Sequence, residues 1–304
     1  MAGGRLAVEV FLKILIMLSA ASRQRQCRYY GYNRSMKQTP AFLQLEKYDI
    51  SPVNVTRMAF HCGPEAIHPD VILAPWWQPE IFELWADQIT MITPDVLYEI
   101  VFQGKALSFV RSGIGAPQAG DAVLALSFTP CERILFTGSV GGLRPDMLVG
   151  DLVMPEFSFA GDGFCRYLQP GFPVEDCFLE RNAPDEGLSA ALARATLPLA
   201  QQAGVTEHSG PVFSIDTILA QFRILDEIAN KLGCIGIEME TAAVFKAAQL
   251  AAMRAAALFS VSDVPVKNQT LFAGRLPAEQ DHRKEIRRKV LAKALLDCLQ
   301  DPGD

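Results

Sequence analysis

The chain has 304 residues, of which half are apolar and 20% are charged, and it carries a net charge of −6. This composition is typical of a folded protein with a sizeable core, and it excludes a largely disordered chain. The acidic balance argues against a nucleic-acid-binding groove, because such a groove needs a basic surface to neutralise phosphates. We therefore expect no nucleic-acid partner.

The cysteines and histidines give no sign of a metal site. Seven cysteines and four histidines are dispersed along the chain, and no two cysteines form a C-x-x-C pair. Zinc sites usually require such closely spaced ligands. Because an odd number of widely spaced cysteines suits reduced thiols, we expect a cytoplasmic protein without a metal.

The first 37 residues differ from the rest, because they contain seven basic residues and one acidic residue. The apolar segment Leu6–Ala21 is interrupted by two charged residues and is shorter than the roughly 20 apolar residues that span a bilayer. Three interpretations are open: a signal peptide, an interfacial helix, or an appended or mis-assigned start before Met36. We favour the last and predict an N-terminal extension at 1–40, a domain at 41–304 and no membrane association.

Short apolar runs alternate with helical stretches in the body of the chain. In chain order, the patterns predict a strand at 71–74, a helix at 80–89, a hairpin at 98–102 and 106–111, a helix at about 119–128, strands at 134–137, 152–154, 211–215 and 234–237, a helix at 241–253, a strand at 256–261 and a helix at about 278–299. This alternation indicates an α/β fold: a single domain with a mixed, mostly parallel central sheet flanked by helices. Ligands of such folds bind beyond the carboxyl ends of the strands.

A glycine-rich segment, Gly138–Gly142, follows one of these predicted strands as a loop. Small residues let backbone N–H groups approach an anion or a sugar, and the hydroxyl of Ser139 adds a further hydrogen-bond donor. The segment lacks the Gly-Lys-Ser/Thr ending of a nucleotide-binding P-loop. A tight structural turn explains it equally well.

Two carboxylates, Glu238 and Glu240, flank Met239 between a predicted strand and a predicted helix. A carboxylate accepts hydrogen bonds from paired hydroxyls, so Glu240 is a candidate ligand of the vicinal hydroxyls of a ribose. Acidic residues also stabilise the first turn of a helix, and this structural role is the alternative.

Polar side chains follow two other predicted strands. Ser262 and Asp263 end the last strand, where a desolvated carboxyl group can act as a general acid, with a simple turn as the alternative. Gln221 and Arg223 follow an earlier strand and can pair with the amide and carbonyl groups of a base. A solvated helix surface is the alternative explanation for these two.

These segments occur together and in order, and on that basis the sequence resembles the nucleoside phosphorylase/nucleosidase superfamily from about Phe60 to Leu299. The motifs that carry the resemblance lie at 60–63, 112–117, 137–142, 149–151, 238–240 and 261–263. The resemblance implies an enzyme that cleaves the bond between a base and ribose, without a cofactor and with phosphate as a co-substrate in its phosphorylase branches. It also implies a nucleoside substrate and a homodimer, or a hexamer built from dimers.

The resemblance further implies a role for each candidate residue. It implies a ribose site at Glu238, Met239, Glu240 and His61, a base site at Gln221, Arg223, Gly141 and Ser262, and a loop for phosphate or another nucleophile at Gly138 and Ser139. Within the ribose site, His61 would reach the 5′-hydroxyl in a neighbouring subunit. Asp263 would donate a proton to a purine. In contrast, three segments resemble the uridine branch, at 221–223, 162–163 and 172–173. The identity of the base, purine or pyrimidine, therefore stays open.

The chain departs from the phosphorylases at three cationic positions that bind phosphate. The loop with the first arginine reads Ala74–Glu80 here, and the other two positions are Phe136 and Thr93. The loss of three charge-assisted hydrogen bonds weakens phosphate binding by roughly 4–9 kcal/mol. An unchanged phosphorylase is therefore hard to sustain, unless another arginine substitutes. The candidates for that substitution are Arg111, Arg144 and Arg166.

We therefore expect hydrolysis rather than phosphorolysis. In hydrolytic members of the family a carboxylate that activates water replaces the first arginine, and Glu80 fits that place if one residue is inserted. Asp263 would assist the departure of the base while Glu240 holds the ribose. Three alternatives are a uridine or purine nucleoside phosphorylase with a rearranged phosphate site, a non-catalytic nucleoside-binding protein on the same fold, and an unrelated α/β enzyme with similar loops.

Overall fold

A computed structural model describes residues 44–172, 175–274 and 276–300 of the chain. The predicted extension at 1–40 lies outside these ranges, so the domain boundary near residue 40 stays a prediction. Pro173, which belongs to a motif that resembles the uridine branch, also lies outside the described residues. Within the described ranges, no helix is long and apolar enough to cross a membrane.

Strands and helices alternate along the described chain. The strands are β1 (Asp70–Ala74), β2 (Gln88–Thr93), β3 (Leu97–Phe102), β4 (Lys105–Arg111), β5 (Arg133–Gly142), β6 (Leu152–Gly161), β7 (Arg181–Asn182), β8 (Glu207–Ile215), β9 (Gly236–Glu238) and β10 (Arg254–Asp263). The α-helices are α1 (Pro52–Phe60), α2 (Ala116–Leu126), α3 (Glu186–Ala203), α4 (Leu225–Asn230), α5 (Thr241–Leu250), α6 (Pro277–Ile286) and α7 (Ala292–Gln300). A π-helical segment, Arg287–Leu291, joins α6 to α7.

The described strands form one sheet with the order β10-β6-β8-β9-β5-β1-β4-β3-β2, and β7 pairs with β6. Because β10 also pairs with β5, the strands β10, β6, β8, β9 and β5 close into a ring, and β1, β4, β3 and β2 extend from β5 as an open arm. Parallel and antiparallel pairings are equally numerous among these strands. The predicted α/β fold with a mixed sheet is confirmed, although the sheet is less parallel than predicted.

The core lies on both faces of the sheet, because alternate side chains of a strand point to opposite faces. In β1, Val71 and Leu73 belong to the hydrophobic cluster that includes α2 and α5. Ile72 and Ala74 belong to the cluster that includes α3 and α7. All four side chains are fully buried, so helices cover both faces of the sheet as predicted.

The helix predicted at 80–89 is wrong. The chain forms a 3-10 turn at Pro79–Phe82, and β2 follows a few residues later. The reason is packing, because Phe82 is fully buried against Phe109 with ring centroids 5.6 Å apart, and β2 satisfies its backbone groups by pairing with β3. The sequence patterns also gave no prediction for α3, which begins at the side-chain cap of Asp185.

The terminal helix predicted at 278–299 is divided by the π-helical segment into α6 and α7. A buried ion pair fixes the end of α7. Arg133 bonds Asp70 at 2.6 and 2.9 Å, and it also donates to the carbonyl oxygen of Leu299 at 3.0 Å. Helix α6, which precedes α7, packs against β10.

Candidate active site

A cavity of about 350 Å³ lies at the ends of β5, β9 and β10. Residues from several predicted segments line it together: Gly138, Ser139, Gly141, Gln221, Glu238, Met239, Glu240, Ser262 and Asp263. A cavity of this volume is within the range of small-molecule sites. In the part of the chain that the structure describes, no group of three or more His, Cys, Asp or Glu side chains is arranged to hold a metal ion.

The glycine-rich segment that lines the cavity is part of β5, and not the loop that the sequence pattern predicted. Its backbone pairs with β10, where Gly138 lies opposite Phe259 and Gly141 lies opposite Asp263. A Cβ atom on Gly141 would lie 3.2 Å from the side chain of Ile237 in β9. The absence of a side chain therefore allows three strands to pack closely, and this packing brings Asp263 beside the end of β5.

Glu240 is buried in the wall of the cavity. Its Oε1 atom accepts a hydrogen bond of 2.6 Å from the backbone N–H of Gly115. Gly115 has a φ of 99°, which favours glycine, so the turn before α2 is shaped to make this bond. Burial and the nearby charge of Glu238 raise the pKa of Glu240 to about 8. This carboxyl group therefore changes its charge close to neutral pH.

Glu238 differs from Glu240, because both oxygens of its carboxylate accept hydrogen bonds from other groups of the protein. One oxygen accepts a bond of 2.5 Å from the Ser214 hydroxyl, and the other accepts bonds of 2.7 Å from the backbone N–H groups of Glu240 and Thr241. Burial raises the pKa of Glu238. The helix-capping explanation therefore applies to Glu238, and Glu240 is the better candidate for a contact with a ligand.

Asp263 ends β10 and is buried where it lines the cavity. The Ser262 hydroxyl contacts the Asp263 carboxyl group and lies 3.2 Å from the carbonyl oxygen of Val140. The next 3-10 turn has Val264 as its N-cap, so Asp263 precedes the cap position of that turn. A buried carboxyl group held at a strand end in this way suits a general acid.

The structure brings Gln221 to the cavity but not Arg223. Gln221 is buried and lines the cavity, whereas Arg223 is exposed and lies outside it. Between them, the ring of Phe222 packs against that of Phe272 with centroids 6.1 Å apart. The predicted pair of Gln221 and Arg223 around a uracil edge is therefore not assembled in this structure.

Glu80 and His61 also lie away from the cavity lining. Glu80 is exposed, and the residues of its segment that line the cavity are Pro75 and Trp76. The geometry therefore gives no support to Glu80 as the group that activates water, and this role stays a prediction. His61 is exposed at the end of α1, and its contact with a neighbouring subunit stays a prediction.

The sequence patterns do not single out Arg283 of α6, which lines the cavity. Arg283 is 5% exposed, and its Nη2 atom donates a hydrogen bond of 2.6 Å to the Ser139 hydroxyl. One signal in the sequence could have found it. Arg283 shares the helical spacing of the buried residues Ile286 and Val290, which places it on the inward face of the terminal helix.

The three arginines considered as substitutes at the phosphate positions do not line the cavity. Each of them bonds an acidic residue elsewhere: Arg111 with Asp95, Arg144 with Asp146 and Arg166 with Asp176. Among the described residues, the arginine that lines the cavity is therefore Arg283, which comes from a different element.

The raised pKa of Glu240 predicts a pH-dependent stability. The folded chain keeps this group protonated up to about pH 8, whereas an unfolded chain releases the proton near the ordinary pKa of 4.5. The stabilisation is therefore complete below about pH 4.5 and is lost as the pH rises through about 8. We expect Glu240→Gln, which does not titrate, to raise the melting temperature over the parent chain by several degrees more at about pH 8.5 than at about pH 5. An equal difference at both pH values would contradict this expectation.

Comparison with known proteins shows the family to which this chain belongs. The family model described as "Phosphorylase superfamily" matches residues 88–299. The guanosine phosphorylase of Halorubrum lacusprofundi is 30% identical to this chain over 179 residues, which cover 58% of this chain and 69% of that protein. The match of the family model therefore includes every segment that lines the cavity except the segment of Pro75 and Trp76.

Solved structures share the fold. Uridine phosphorylase from Vibrio fischeri matches with a TM-score of 0.62 at 19% identity, over 78% of this chain and 95% of that chain. AMP nucleosidase from Bacteroides thetaiotaomicron matches with a TM-score of 0.59 at 16% identity, over 82% of this chain and 94% of that chain. At such identities the likeness concerns the fold alone. The match of the family model over most of the sequence shows that the chain belongs to the phosphorylase superfamily of enzymes.

Proposed function

We propose that the chain cleaves the N-glycosidic bond of a ribonucleoside bound in the cavity. The observation that carries this proposal is the placement of two buried carboxyl groups, Glu240 and Asp263, in the wall of one cavity. One group suits the binding of paired hydroxyls, and the other suits the transfer of a proton to a departing base. Membership of the phosphorylase superfamily and the name of the guanosine phosphorylase relative support the same reaction.

The ribose is held by Glu240, which accepts hydrogen bonds from the 2′- and 3′-hydroxyls, and by Met239, which packs against the sugar. Because Gly115 already bonds one carboxylate oxygen, the side chain needs little reordering when a ligand binds. Glu238 supports the arrangement by accepting a bond from the backbone N–H of Glu240. The result is a rigid acceptor that favours ribonucleosides over nucleosides without these hydroxyls.

The base leaves with a proton from Asp263. As the glycosidic bond breaks, negative charge develops on the base, and protonation of a ring nitrogen neutralises it. Gly141 and Ser262 lie beside Asp263 and contact the base, while the Gln221 amide donates to and accepts from its edge. Because Arg223 lies outside the cavity and Asp263 suits protonation of a purine, we expect purine ribonucleosides to be preferred over uridine.

Glu80 has no part in the proposed reaction, because this residue is exposed and outside the cavity lining. His61 is retained as a contact to the ribose of a neighbouring copy, which makes a homodimer the smallest active unit. No cofactor enters the reaction, since side chains of the protein bind the ribose and supply the proton. Residues 41–304 act as one domain.

A panel of ribonucleosides tests the proposal. The full-length protein is incubated with guanosine, inosine, adenosine and uridine, each with and without inorganic phosphate, and the released base is measured by chromatography. We expect release from at least one purine ribonucleoside, at a higher rate than from uridine. No release from any nucleoside in either buffer would contradict the proposal. Calorimetric binding of the same nucleosides would then indicate a non-catalytic binding protein.

A further inference from the structure

We propose that the base of the substrate carries an apolar substituent on its edge remote from the ribose, and that four apolar side chains beside the cavity receive this substituent. This inference rests on the proposed function, because it names the class of nucleoside that the same site cleaves. The four side chains, which we call the base vestibule, are Ile218, Phe222, Leu271 and Phe272. Two of them, Ile218 and Leu271, line the cavity itself.

The base vestibule is apolar and open to solvent in the single chain. Each of its four side chains is between 41% and 60% exposed. Clustered apolar groups of this kind mark a surface that a ligand or a partner covers. The rings of Phe222 and Phe272 lie 6.1 Å apart between their centroids, so the two segments that build the vestibule contact each other.

The first wall of the vestibule is a 3-10 turn at Ala220–Arg223. The hydroxyl of Thr217 caps this turn by accepting a hydrogen bond of 3.1 Å from the backbone N–H of Ala220. In the turn, Gln221 is buried and lines the cavity, whereas the next residue, Phe222, is exposed. This wall of the vestibule therefore begins directly beside a residue that is assigned to the base.

The second wall follows the proposed general acid in the chain. Directly after Asp263, Val264 and Gln269 exchange backbone hydrogen bonds of 2.8 and 3.3 Å, which close a short loop. The hydroxyl of Thr270 then caps the 3-10 turn Leu271–Ala273. Hydrogen bonds of the protein thus hold both walls in place, and each wall starts near a residue that is assigned to the base.

The buried amide of Gln221 indicates which part of the base faces the vestibule. The Gln221 side chain is 9% exposed, and among the described residues its amide has no hydrogen-bond partner. A buried amide needs such partners, and the edge of a base supplies them. In a purine ribonucleoside the ribose is attached to the five-membered ring. With the ribose at Glu240 and the six-membered ring at Gln221, a substituent at position 6 extends past Gln221 into the vestibule.

A second copy of the chain is the alternative cover of the base vestibule, and the available area argues against it. An aromatic side chain has about 150–250 Å² of surface, so four side chains that are about half exposed offer roughly 500 Å² at most. A stable dimer buries about 800 Å² per partner. Because the vestibule is also continuous with the cavity, a group attached to the bound base fits it better than a second copy does.

The chemistry of the vestibule selects an uncharged substituent. A charged group would lose its hydration against four apolar side chains without gaining a partner among them. An apolar group instead gains free energy as it leaves water, and the two phenylalanine rings favour an aromatic group. The substrate class is therefore a 6-aminopurine ribonucleoside whose exocyclic nitrogen carries an aryl or branched alkyl group.

Kinetics with three nucleosides test the vestibule. The full-length protein is incubated with adenosine, N6-benzyladenosine and N6-(2-aminoethyl)adenosine, and the released base is measured by chromatography. We expect kcat/KM for the benzyl derivative to exceed that for adenosine by about 5–50-fold, because the vestibule removes the benzyl group from water. The cationic derivative is expected to fall below adenosine. A benzyl derivative that is cleaved no better than adenosine would overturn the assignment.

Matched variants separate the vestibule from a general effect on the fold. Leu271→Gln and Phe222→Gln each place an amide in one wall, whereas Leu276→Gln changes an exposed apolar residue that does not line the cavity. We expect the ratio of kcat/KM for the benzyl derivative to that for adenosine to fall at least about 3-fold in each vestibule variant. Leu276→Gln is expected to keep the parent ratio. Because the ratio compares two substrates of one variant, partial unfolding lowers both values equally.

A parent-like ratio in either vestibule variant would overturn the assignment, as would an equal fall in Leu276→Gln. A smaller molar mass of Leu271→Gln in light scattering, together with an unchanged ratio, would show that a second copy covers the vestibule instead. Cleavage of guanosine without any cleavage of N6-benzyladenosine would overturn the assignment as well.

The failure of this inference and the failure of the proposed function have different signatures. If no nucleoside releases its base, the proposed function fails, and calorimetric titration with the same nucleosides still tests the vestibule. Tighter binding of N6-benzyladenosine than of adenosine, with the difference lost in Leu271→Gln, would support the vestibule. Equal binding of both nucleosides by the parent chain, or binding of neither, would overturn it.

Discussion

Replacing Asp263 with asparagine is expected to lower kcat for release of a purine base by about 10²–10⁴-fold, the usual contribution of a positioned general acid. Asparagine keeps the size of the side chain and its contact with Ser262, but it does not transfer a proton at neutral pH. Because Asp263 is buried at the end of β10, solvent is a poor substitute for it. The measurement is kcat for base release at saturating nucleoside, in the buffer of the panel that gives the faster release.

A substrate whose leaving group needs no proton separates this role from a structural one. The 4-nitrophenyl riboside releases a stabilised phenolate, so its cleavage is expected to proceed in Asp263→Asn at close to the rate of the parent chain. A purine ribonucleoside is expected to show the full loss. An equal loss on both substrates would contradict the role of Asp263 as proton donor.

The second large effect is expected at Glu240. At about pH 9, where Glu240 with its pKa of about 8 is a carboxylate, Glu240→Gln should lower kcat/KM for ribonucleosides by about 10²–10⁴-fold, because it weakens two charge-assisted hydrogen bonds to the ribose, which are worth about 1.5–3 kcal/mol each. The carbonyl oxygen of glutamine can still accept the bond from Gly115, so the turn before α2 is expected to keep its shape. Steady-state kinetics of the best nucleoside of the panel give this ratio.

Nucleosides that lack the ribose hydroxyls are the matched control for Glu240→Gln. The parent chain should strongly prefer a ribonucleoside to its 2′,3′-dideoxy analogue, since the analogue makes neither bond to Glu240. In Glu240→Gln this preference for the ribonucleoside should become small, because the charged acceptor is gone. A preference in Glu240→Gln as large as in the parent chain would show that the hydroxyls are held elsewhere.

The fold could be predicted from the sequence where burial imposes a simple pattern. The strand at 71–74 is a run of apolar residues because both faces of β1 are covered. The prediction of a helix at 80–89 is wrong because the apolar spacing of this segment also fits a turn that packs Phe82 against the sheet. The π-helical segment at 287–291 has no proline or glycine, so nothing in the sequence marks the division of the terminal helix.

The candidate site could be predicted where residues follow strands whose ends meet. Glu240 and Asp263 reach the cavity for this reason, because each lies at or just beyond the end of its strand. The role of Glu80 depended on a helix that does not form. Arg283 depends on the packing of α6, which brings together two residues 144 positions apart in the sequence, Arg283 and Ser139. No pattern in the sequence predicts this long-range contact.

Cleavage of the bond between ribose and base can be followed directly by the ¹H NMR signal of the ribose H1′ proton. A purine ribonucleoside in phosphate buffer is incubated with the parent chain and, separately, with the variant that combines Asp263→Asn and Glu240→Gln. We predict that the parent chain replaces the H1′ signal of the nucleoside by that of ribose or ribose 1-phosphate, and that the double variant leaves the nucleoside intact. A nucleoside that stays intact with the parent chain, or is converted equally by the variant, would contradict cleavage in this cavity.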